Sequence, residues 1–204
     1  MKLHNSVGPN PRVVNMFLAE KGVTLDKVDV DLRGGENRRE PFLSKNPSGQ
    51  TPALELDGGA FVTEITAICE YLEEKYPNPP LIGATPEARA EARMWTRRMD
   101  IKICEPLANG FRYAEGLGLF KDRMRCLPDA APGLKLVAQD GIEWMDTHLT
   151  GDYLAGDRFT LADIVVFAFL DFGAAVGQPL DPKFKTVGAW FERVKARPSA
   201  AASA

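Results

Sequence analysis

The sequence predicts two domains, an α/β domain followed by an all-helical domain, and three observations carry this prediction. Up to residue 76, short β-type runs alternate with helical patterns in the order βαβ, an irregular link and ββα. A proline-rich segment follows at residues 76–80, and beyond it apolar residues recur only at helical spacing. We therefore place the α/β domain at residues 1–76, a linker at 77–84 and the helical domain at 85–204.

The βαβ unit begins with a short strand at Leu3. Residues 10–21 carry apolar side chains at positions i, i+3 and i+4, which is typical of an amphipathic helix, and Gly22 is suited to end it. In residues 28–32, apolar side chains alternate with charged ones. This alternation predicts a second strand with one buried face.

The ββα unit is marked by a tight turn sequence. Residues 52–56 and 60–62 flank one Asp and two Gly at 57–59, which predicts an antiparallel hairpin. An apolar stripe then predicts a helix over residues 65–75.

The helical domain is predicted from four stretches with apolar residues at helical spacing. Thr160 and Asp163 form a capping box at the start of the third stretch, with Asp in place of the usual Glu or Gln. The small-residue tail at 198–204 is expected to fray. The four stretches are residues 87–108, 134–149, 161–172 and 187–194.

The overall charge argues against a polyanionic partner. The chain has 25 Lys and Arg against 28 Asp and Glu, a formal charge of −3, whereas electrostatic binding of nucleic acid needs a basic surface. The start of the chain lacks the apolar stretch of a secretory signal. The longest apolar run, residues 164–170, is far shorter than the roughly 20 residues that cross a bilayer. We expect a cytoplasmic protein with no nucleic-acid or membrane partner.

The three cysteines, Cys69, Cys104 and Cys126, contain no CxxC pair and have no histidine cluster beside them. Neither a disulfide framework nor a zinc site is supported, so we expect no metal and a reducing compartment. The missing CxxC pair also argues against a disulfide oxidoreductase, because that chemistry needs an attacking thiol and a resolving thiol.

Several segments, in the right order along the chain, resemble the glutathione S-transferases. Residues 46–54 (NPSGQTPAL) and 63–68 (TEITAI) are similar to the glutathione-binding core of the family, and residues 153–163 to the start of its central core helix. Residues 32–37 and 41–43 look closest to a bacterial and fungal branch near the theta class. The resemblance implies a thioredoxin-like N-terminal domain and a C-terminal helical bundle. It also implies transferase activity with glutathione as co-substrate, and a homodimer.

The resemblance assigns Thr51 and Pro52 to glutathione. It implies a cis Thr51–Pro52 bond whose turn offers the Thr51 backbone to the cysteinyl part of the tripeptide, with Gln50 beside it as a donor to a carboxylate. Taken alone, the residues favour a trans proline at a strand edge, because few X-Pro bonds are cis, and Gln50 also fits a solvated loop amide.

The resemblance also assigns Glu64, Ile65 and Thr66 to glutathione. The free N–H groups of a helix start suit an anion, and in the family they hold the γ-glutamyl carboxylate while an acid, here Glu64, pairs with the amine. Ile65 replaces the usual Ser, which removes one hydroxyl contact. Alternatively, Thr63 is the N-cap and Glu64 is a first-turn acid that favours the helix dipole.

Asn37 and Arg38 match positions that contact the glycyl carboxylate in theta-like relatives. Arg suits carboxylates through its planar fork of donors. The alternative is that Arg38 and Arg39 are a solvated basic pair.

The first loop departs from the family pattern. Matching residues 12–18 with theta-like chains puts Gly8 where the family has a Ser whose hydroxyl stabilises the glutathione thiolate. Ser6 and Asn10 are the nearest donors, so they are our candidate catalytic residues. Asn10 before Pro11 is equally typical of an N-cap followed by proline.

The energetic demand on this loop is modest. Lowering the pKa of a thiol by about two units takes roughly 2.7 kcal/mol. An exposed helix start supplies about 0.3–1 kcal/mol and a charge-assisted hydrogen bond about 1.5–3 kcal/mol. Because Pro9 and Pro11 lack N–H groups, the expected backbone donors are the amides of Asn10, Arg12 and Val13. We expect lower activity than in a Ser enzyme.

The electrophile is expected between the two domains, with Phe111 and Tyr113 in its wall. Met99, Ile103 and Leu107 belong to the same stripe, although such a stripe is more typical of simple core.

The sequence therefore predicts a cytosolic glutathione S-transferase that adds the glutathione thiolate to a hydrophobic electrophile, with a role in detoxification. Members of this family also reduce, isomerise or cleave ethers, and the sequence does not name the electrophile. The alternative is a noncatalytic glutathione-binding or protein-interaction module of the same fold, which Gly8 and Ile65 favour.

Overall fold

A computed structural model describes all 204 residues of the chain. The chain divides into two compact units, one of Met1–Pro80 with Ala202–Ala204 and the other of Leu81–Ala201. None of its helices is both long enough and apolar enough to span a bilayer.

The first unit is a four-stranded mixed sheet with helices, which confirms the predicted thioredoxin-like fold. The strand order is β2-β1-β3-β4, with β1 parallel to β2 and antiparallel to β3, and β3 antiparallel to β4. A 3₁₀ turn at Glu36–Arg38 lies in the irregular link. The elements are β1 (Lys2–Asn5), α1 (Pro9–Lys21), β2 (Asp26–Asp29), α2 (Phe42–Lys45), β3 (Ala53–Glu55), β4 (Phe61–Thr63) and α3 (Ile65–Lys75).

The second strand differs from the prediction for residues 28–32. It spans Asp26–Asp29, and all four of its side chains are exposed. The buried residue of this stretch is Val30, which follows the strand and donates its N–H to the Asn5 carbonyl over 2.8 Å. β2 lies at the edge of the sheet, with β1 as its one neighbour. At this edge the alternating pattern does not produce a buried face.

A buried ion pair joins α1 to α3. Lys21, the last residue of α1, pairs with Glu73, and both side chains are almost completely buried. The Lys21 ammonium also donates to the Pro79 carbonyl and lies 5.3 Å from the centre of the Phe17 ring. Burial, and then the neighbouring Glu73 carboxylate, raises the pKa of the Cys69 thiol well above its usual value. Cys69 is therefore a neutral core side chain.

A histidine–carboxylate pair bridges β1 and β3. His4 is 3% exposed, and its Nε2 lies 2.7 Å from Oε2 of Glu55. The rings of Phe42 and Phe61 lie 6.3 and 5.3 Å from the imidazole. The hydrogen bond with His4 lowers the pKa of Glu55 below its usual value.

The second unit is a bundle of helices, as predicted. Its central helix is α8, in which every residue from Leu161 to Leu170 is buried. A 3₁₀ turn at Pro128–Ala130 precedes α7. The helices are α4 (Pro86–Met99), α5 (Glu105–Arg112), α6 (Leu117–Phe120), α7 (Ala131–His148), α8 (Leu161–Ala175) and α9 (Lys185–Lys195), with α10 (Pro198–Ala202) at the chain end.

The helix predicted over residues 87–108 contains a π-helical turn at Asp100–Cys104, between α4 and α5. Pro106 has no N–H to give to the Lys102 carbonyl four residues before it, which accounts for the wider turn. Gly141 of α7 lies so close to that carbonyl that a Cβ there would stand 2.2 Å from its oxygen.

The prediction that residues 198–204 fray was wrong. Pro198–Ala202 forms α10, and Ser199 and Ala200 are buried. The small side chains of this segment allow close packing, and proline fits the first helical position, where no N–H is needed.

Candidate functional site

Strand register brings three chain segments together at one end of the strands. His4 of β1 pairs with Ala53 of β3, and Ala53 pairs with Thr63 of β4. The loop after β1, the turn before β3 and the start of α3 therefore leave the sheet side by side. They carry the predicted residues Ser6, Asn10, Thr51, Pro52, Glu64, Ile65 and Thr66.

Helix α1 starts earlier than predicted. Gly8 is the N-cap, with φ of 116° and ψ of 176°, and Pro9 is the first helical residue. The alternative that Asn10 caps the helix was therefore wrong. Proline is tolerated throughout a first turn, because the N–H groups there have no partner inside the helix.

The start of α1 has fewer backbone donors than predicted. Pro9 and Pro11 have no N–H, and the Arg12 N–H is bonded to the Gly8 carbonyl over 3.3 Å. Val13 lies one residue further into the helix, where its N–H is part of the regular hydrogen-bond ladder. Only the Asn10 amide remains free in the first turn, so the anion-attracting end of this helix is weak.

The side chains of Ser6 and Asn10 are half-buried, and neither forms a hydrogen bond within the chain. Val7 stands between Ser6 and Gly8 and is 63% exposed. The loop therefore offers two uncommitted polar groups on either side of an exposed apolar residue.

The turn before β3 has the predicted geometry. The Thr51–Pro52 bond is cis, and both residues are buried. The backbone amide and carbonyl of Thr51 form no hydrogen bond with the rest of the chain. Gln50 is exposed, and its carbonyl accepts from Nδ2 of Asn46 over 2.8 Å. The Thr51 backbone is thus free to pair with an extended ligand.

The start of α3 is uncapped. Glu64, and not Thr63, is its N-cap residue, and no side chain bonds to the first turn. The first helical bond runs from the Ile68 N–H to the Glu64 carbonyl, so the three amides between them have no partner in the chain. Glu64 has φ of 68° and is the one non-glycine residue with positive φ. Such a conformation costs about 1–3 kcal/mol and is concentrated at functional sites.

Asn37 and Arg38 meet the loop that precedes Thr51. Nδ2 of Asn37 donates to the Gly49 carbonyl over 2.6 Å, and Nη1 of Arg38 lies 3.3 Å from the Ser48 carbonyl. Asn37 is 2% exposed, whereas Arg38 is half-buried. The structure therefore makes Asn37 a support of the loop. Of the two, Arg38 is the better placed for a ligand carboxylate.

Asn46 is a residue that the sequence analysis missed. It is 2% exposed, and its Oδ1 accepts from the backbone N–H and the hydroxyl of Ser48 over 3.1 and 2.7 Å. Together with its bond to the Gln50 carbonyl, this holds the loop that leads to Thr51. The available signal was the Asn-Pro-Ser-Gly sequence, since Asn side chains bond to the backbone two residues on.

Phe111 and Tyr113 lie at the end of α5 in the second unit. Phe111 is half-buried and makes T-shaped contacts with Phe120 and Phe172, with ring centres 6.1 and 5.0 Å apart. Tyr113 is half-buried and follows the helix. The other apolar residues of the predicted wall are at most 2% exposed and belong to the core: Met99, Ile103 and Leu107.

Comparison with known proteins identifies relatives over the whole chain. The family described as glutathione S-transferase, N-terminal domain, matches residues 7–75, and the corresponding C-terminal domain matches residues 133–198. Glutathione S-transferase 2 of Saccharomyces cerevisiae is 35% identical over 198 residues, which cover 94% of this chain and 84% of that protein.

Solved structures agree with these matches. The crystal structure of Gtt2 from Saccharomyces cerevisiae has a TM-score of 0.94 at 32% identity and is matched over 100% of both chains. A glutathione S-transferase domain-containing protein from Marinobacter aquaeolei VT8 has a TM-score of 0.92 at 37% identity, over 98% of this chain and 99% of that one.

Proposed function

This chain belongs to the glutathione S-transferase family and is a glutathione transferase with glutathione as co-substrate, and on that premise we propose that it adds the glutathione thiolate to a hydrophobic electrophile. The sulfur forms a bond to an electrophilic carbon while a leaving group such as halide departs with its electron pair. We propose detoxification in the cytoplasm as the setting of this reaction.

The observation that carries the proposal is the unpartnered backbone of Thr51 at the end of the sheet. Thr51 offers a free amide and a free carbonyl beside the end of β1, and these pair with the cysteinyl part of glutathione as an added strand would. We propose that the sulfur then lies at the loop of Ser6, Gly8 and Asn10.

The two ends of the tripeptide have polar and charged partners at the same end of the sheet. The uncapped amides of Ile65 and Thr66 hold the γ-glutamyl carboxylate, and the exposed carboxylate of Glu64 pairs with the γ-glutamyl amine. Arg38 and Gln50 are assigned to the glycyl carboxylate. Asn37 positions this loop through its bond to the Gly49 carbonyl.

The thiolate relies on a hydrogen bond more than on the helix. A full helix end stabilises a nearby anion by about 0.3–1 kcal/mol. Because the amide of Asn10 is the one free donor in its first turn, α1 stabilises the thiolate only by the lower part of this range. A charge-assisted hydrogen bond from Asn10 or from the Ser6 hydroxyl adds about 1.5–3 kcal/mol. The sum meets the roughly 2.7 kcal/mol that lowers a thiol pKa by about two units.

A binding experiment tests the tripeptide site. We expect Glu64→Gln to weaken glutathione binding about tenfold in isothermal titration calorimetry, since it loses one charge-assisted hydrogen bond. Glu74→Gln, an exposed acid on the same helix, is the matched control and should bind as the parent does. Absence of binding heat for the parent at millimolar glutathione would reject the site.

A kinetic experiment tests the thiolate assignment. Conjugation of glutathione to an aryl halide is followed against pH for the parent, Ser6→Ala and Asn10→Ala. We expect the variant that loses the thiolate donor to shift its rate profile to higher pH. Identical profiles in all three proteins would exclude both side chains. Lower turnover of a given aryl halide in Phe111→Ala or Tyr113→Ala would support their contact with the electrophile.

We also propose a homodimer, supported by an exposed apolar face on the second unit. Met94 and Ile101 are 41% and 52% exposed, and Leu136 and Val137 of α7 are 66% and 48% exposed. Helix α7 packs on the π-helical turn that carries Ile101. Grouped exposed apolar side chains, unlike single scattered ones, mark interaction sites.

Light scattering after size-exclusion chromatography tests the dimer. We expect the double variant Ile101→Glu with Leu136→Glu to be monomeric at a concentration where the parent is dimeric. Leu127→Glu changes a leucine that is 53% exposed outside this face and should leave the parent mass unchanged. A monomeric parent would overturn the proposal.

A further inference from the structure

We propose that the electrophile of this transferase is an aromatic acid, and that Arg112 binds its carboxylate. The inference rests on the proposed conjugation reaction and adds the class of electrophile, which that proposal leaves open. It is carried by a guanidinium with unused donors, which lies beside an aromatic cluster in the second unit. The cluster contains Phe111, which is already assigned to the electrophile.

The aromatic cluster forms because a tight turn folds α6 back onto α5. In this turn, Gly116 donates its N–H to the Phe111 carbonyl over 2.8 Å. A Cβ at Gly116 would stand 2.8 Å from the Phe111 ring, so the glycine gives the ring room to lie over the turn. Phe120, the last residue of α6, then makes its T-shaped contact with Phe111, and Phe172 of α8 makes another.

The three rings offer a surface for an aromatic body. Phe111, Phe120 and Phe172 are each half-buried, so part of every side chain remains accessible. Aromatic rings pack edge to face or offset, and such pairs gain more than the burial of their apolar area. An aromatic electrophile extends this cluster by one more ring.

The guanidinium of Arg112 adds a positive charge to this surface. Its side chain is only 19% exposed, and Cζ lies 5.9 Å from the centre of the Phe120 ring. A cation at this distance is attracted by the face of the ring, which holds the side chain against the cluster. A carboxylate on a ring packed against Phe111 and Phe120 is therefore within reach of Arg112.

The charge of Arg112 is only partly compensated within the chain. Nη1 donates to Oδ1 of Asn109 over 2.9 Å and lies 3.8 Å from Oε2 of Glu105, which is too long for a hydrogen bond. The other N–H groups of the guanidinium have no partner in the chain, and none is sealed from solvent. Such a planar fork of donors fits a carboxylate better than any other common group.

Asn109 keeps this fork open. Glu105, Asn109 and Arg112 lie on one face of α5 at positions i, i+4 and i+7. Nδ2 of Asn109 donates to Oε2 of Glu105 over 3.3 Å, while its Oδ1 accepts from Arg112. The amide thus stands between the two charges and occupies one donor of the guanidinium. The Glu105 side chain, 53% exposed, is instead hydrated.

The test compares two aryl chlorides that differ in charge, 4-chloro-3-nitrobenzoate and 4-chloro-3-nitrobenzamide. In both, sulfur bonds to the ring carbon that carries chlorine, and chloride leaves with its electron pair. We measure kcat/KM at saturating glutathione and divide the acid-to-amide ratio of each variant by that of the parent, so that the intrinsic reactivities cancel. We expect Arg112→Gln to lower this ratio about tenfold, through one lost charge-assisted hydrogen bond. Arg112→Lys keeps the charge without the fork and should lower it less.

A second variant of the same cluster should move the ratio the other way. Glu105→Gln removes the carboxylate that competes for Arg112, and we expect the acid-to-amide ratio to rise about twofold to threefold, the effect of an exposed ion pair. Opposite shifts in Arg112→Gln and Glu105→Gln exclude general damage to α5 as their cause. Circular dichroism of each variant checks that it is folded, and Arg112→Lys and Glu105→Gln carry the test if Arg112→Gln is not.

Lys183→Gln is the matched control. Lys183 also lies 3.8 Å from a carboxylate, that of Asp181, and 4.7 Å from the centre of a ring, that of Phe184, but its side chain is 62% exposed. Its loss should leave the ratio unchanged. An unchanged ratio in the Arg112 variants, or an equal fall in Lys183→Gln, would overturn the aromatic acid and leave conjugation standing. A parent that conjugates neither these substrates nor 1-chloro-2,4-dinitrobenzene would reject the conjugation reaction itself, and the inference with it.

Discussion

Trp190 donates its indole N–H to the carboxylate of Asp163 over 2.9 Å, and both side chains are fully buried. The same carboxylate accepts from the backbone N–H groups of Leu154 and Thr160 over 3.0 and 2.9 Å. Burial raises the pKa of Asp163, and these hydrogen bonds oppose the rise. One carboxylate thus holds together α9, the start of α8 and the chain that leads into it.

Replacing this carboxylate should be among the most damaging changes in the second unit. Asp163→Ala leaves three buried N–H groups without an acceptor, and we expect a loss of about 3–5 kcal/mol in the free energy of unfolding. Trp190→Phe removes one of the bonds and should cost about 1–3 kcal/mol. Urea unfolding followed by circular dichroism measures both. Asp140→Asn, an exposed acid on α7, is the control, and an equal effect there would contradict the argument.

The buried pair of Lys21 and Glu73 gives a second prediction. Lys21→Met leaves an uncompensated carboxylate in the core and should cost about 3–5 kcal/mol of stability. The double variant Lys21→Met with Glu73→Leu removes both charges and should recover much of that loss. Thermal and urea unfolding of the two variants decides the matter. A double variant no more stable than Lys21→Met would contradict the argument that the uncompensated carboxylate causes the loss.

The hydrogen bond from Asn37 to Gly49 predicts that its loss weakens glutathione binding and leaves the rate of the chemical step unchanged. Asn37→Ala leaves the Gly49 carbonyl buried without its donor, so the loop before Thr51 loosens. We expect a KM for glutathione raised about tenfold, by one lost hydrogen bond, with kcat nearly unchanged. Arg39→Ala, an exposed neighbour, is the control. A fall in kcat alone would contradict a positioning role.

Gly49 itself should not tolerate a side chain. Its φ is 60°, and a Cβ would stand 2.9 Å from the Asn37 backbone oxygen. We expect Gly49→Ala to lower the unfolding free energy by about 1–3 kcal/mol. Gly58→Ala is a suitable comparison, because a Cβ at Gly58 meets nothing within 4 Å. Equal stability of the two variants would refute the steric argument.

The pair of His4 and Glu55 predicts how stability responds to acid. Because the hydrogen bond with His4 lowers the pKa of Glu55, the folded state binds this proton less readily than the unfolded chain does. The contribution is present above the ordinary Glu pKa and is lost as the pH falls through the lower folded value. Unfolding curves across the acidic range should therefore show a smaller acid-induced loss in Glu55→Gln than in the parent. Parallel curves would contradict this linkage.

The larger architecture was predictable because local patterns and global fold agree. The hairpin around residues 57–59, helix α3 and the capping box of Thr160 and Asp163 follow from neighbouring residues alone. The π-helical turn before Pro106 was missed, because apolar spacing predicts a continuous helix and does not register the one backbone hydrogen bond that Pro106 removes.

The candidate site was predictable in its sequence positions and less so in its chemistry. The resemblance assigned Thr51 and Glu64 to the site, and the strand register brings their segments to the same end of the sheet. The roles of Asn37 and Asn46 depend on loop geometry, which short-range patterns do not fix. The predicted start of α1 was wrong because the helix begins earlier, at Pro9, so that both prolines lie in its first turn.

The backbone at Gly8 makes it hard to introduce a serine into the first loop. A Cβ at this position would meet open space, yet φ of 116° is a conformation that side-chain-bearing residues rarely adopt. Exchanging glycine for serine would therefore not by itself place a hydroxyl where the family resemblance led us to expect one. An engineer who wanted that group would have to rebuild the path of the chain between β1 and α1, because one substitution does not change the backbone there.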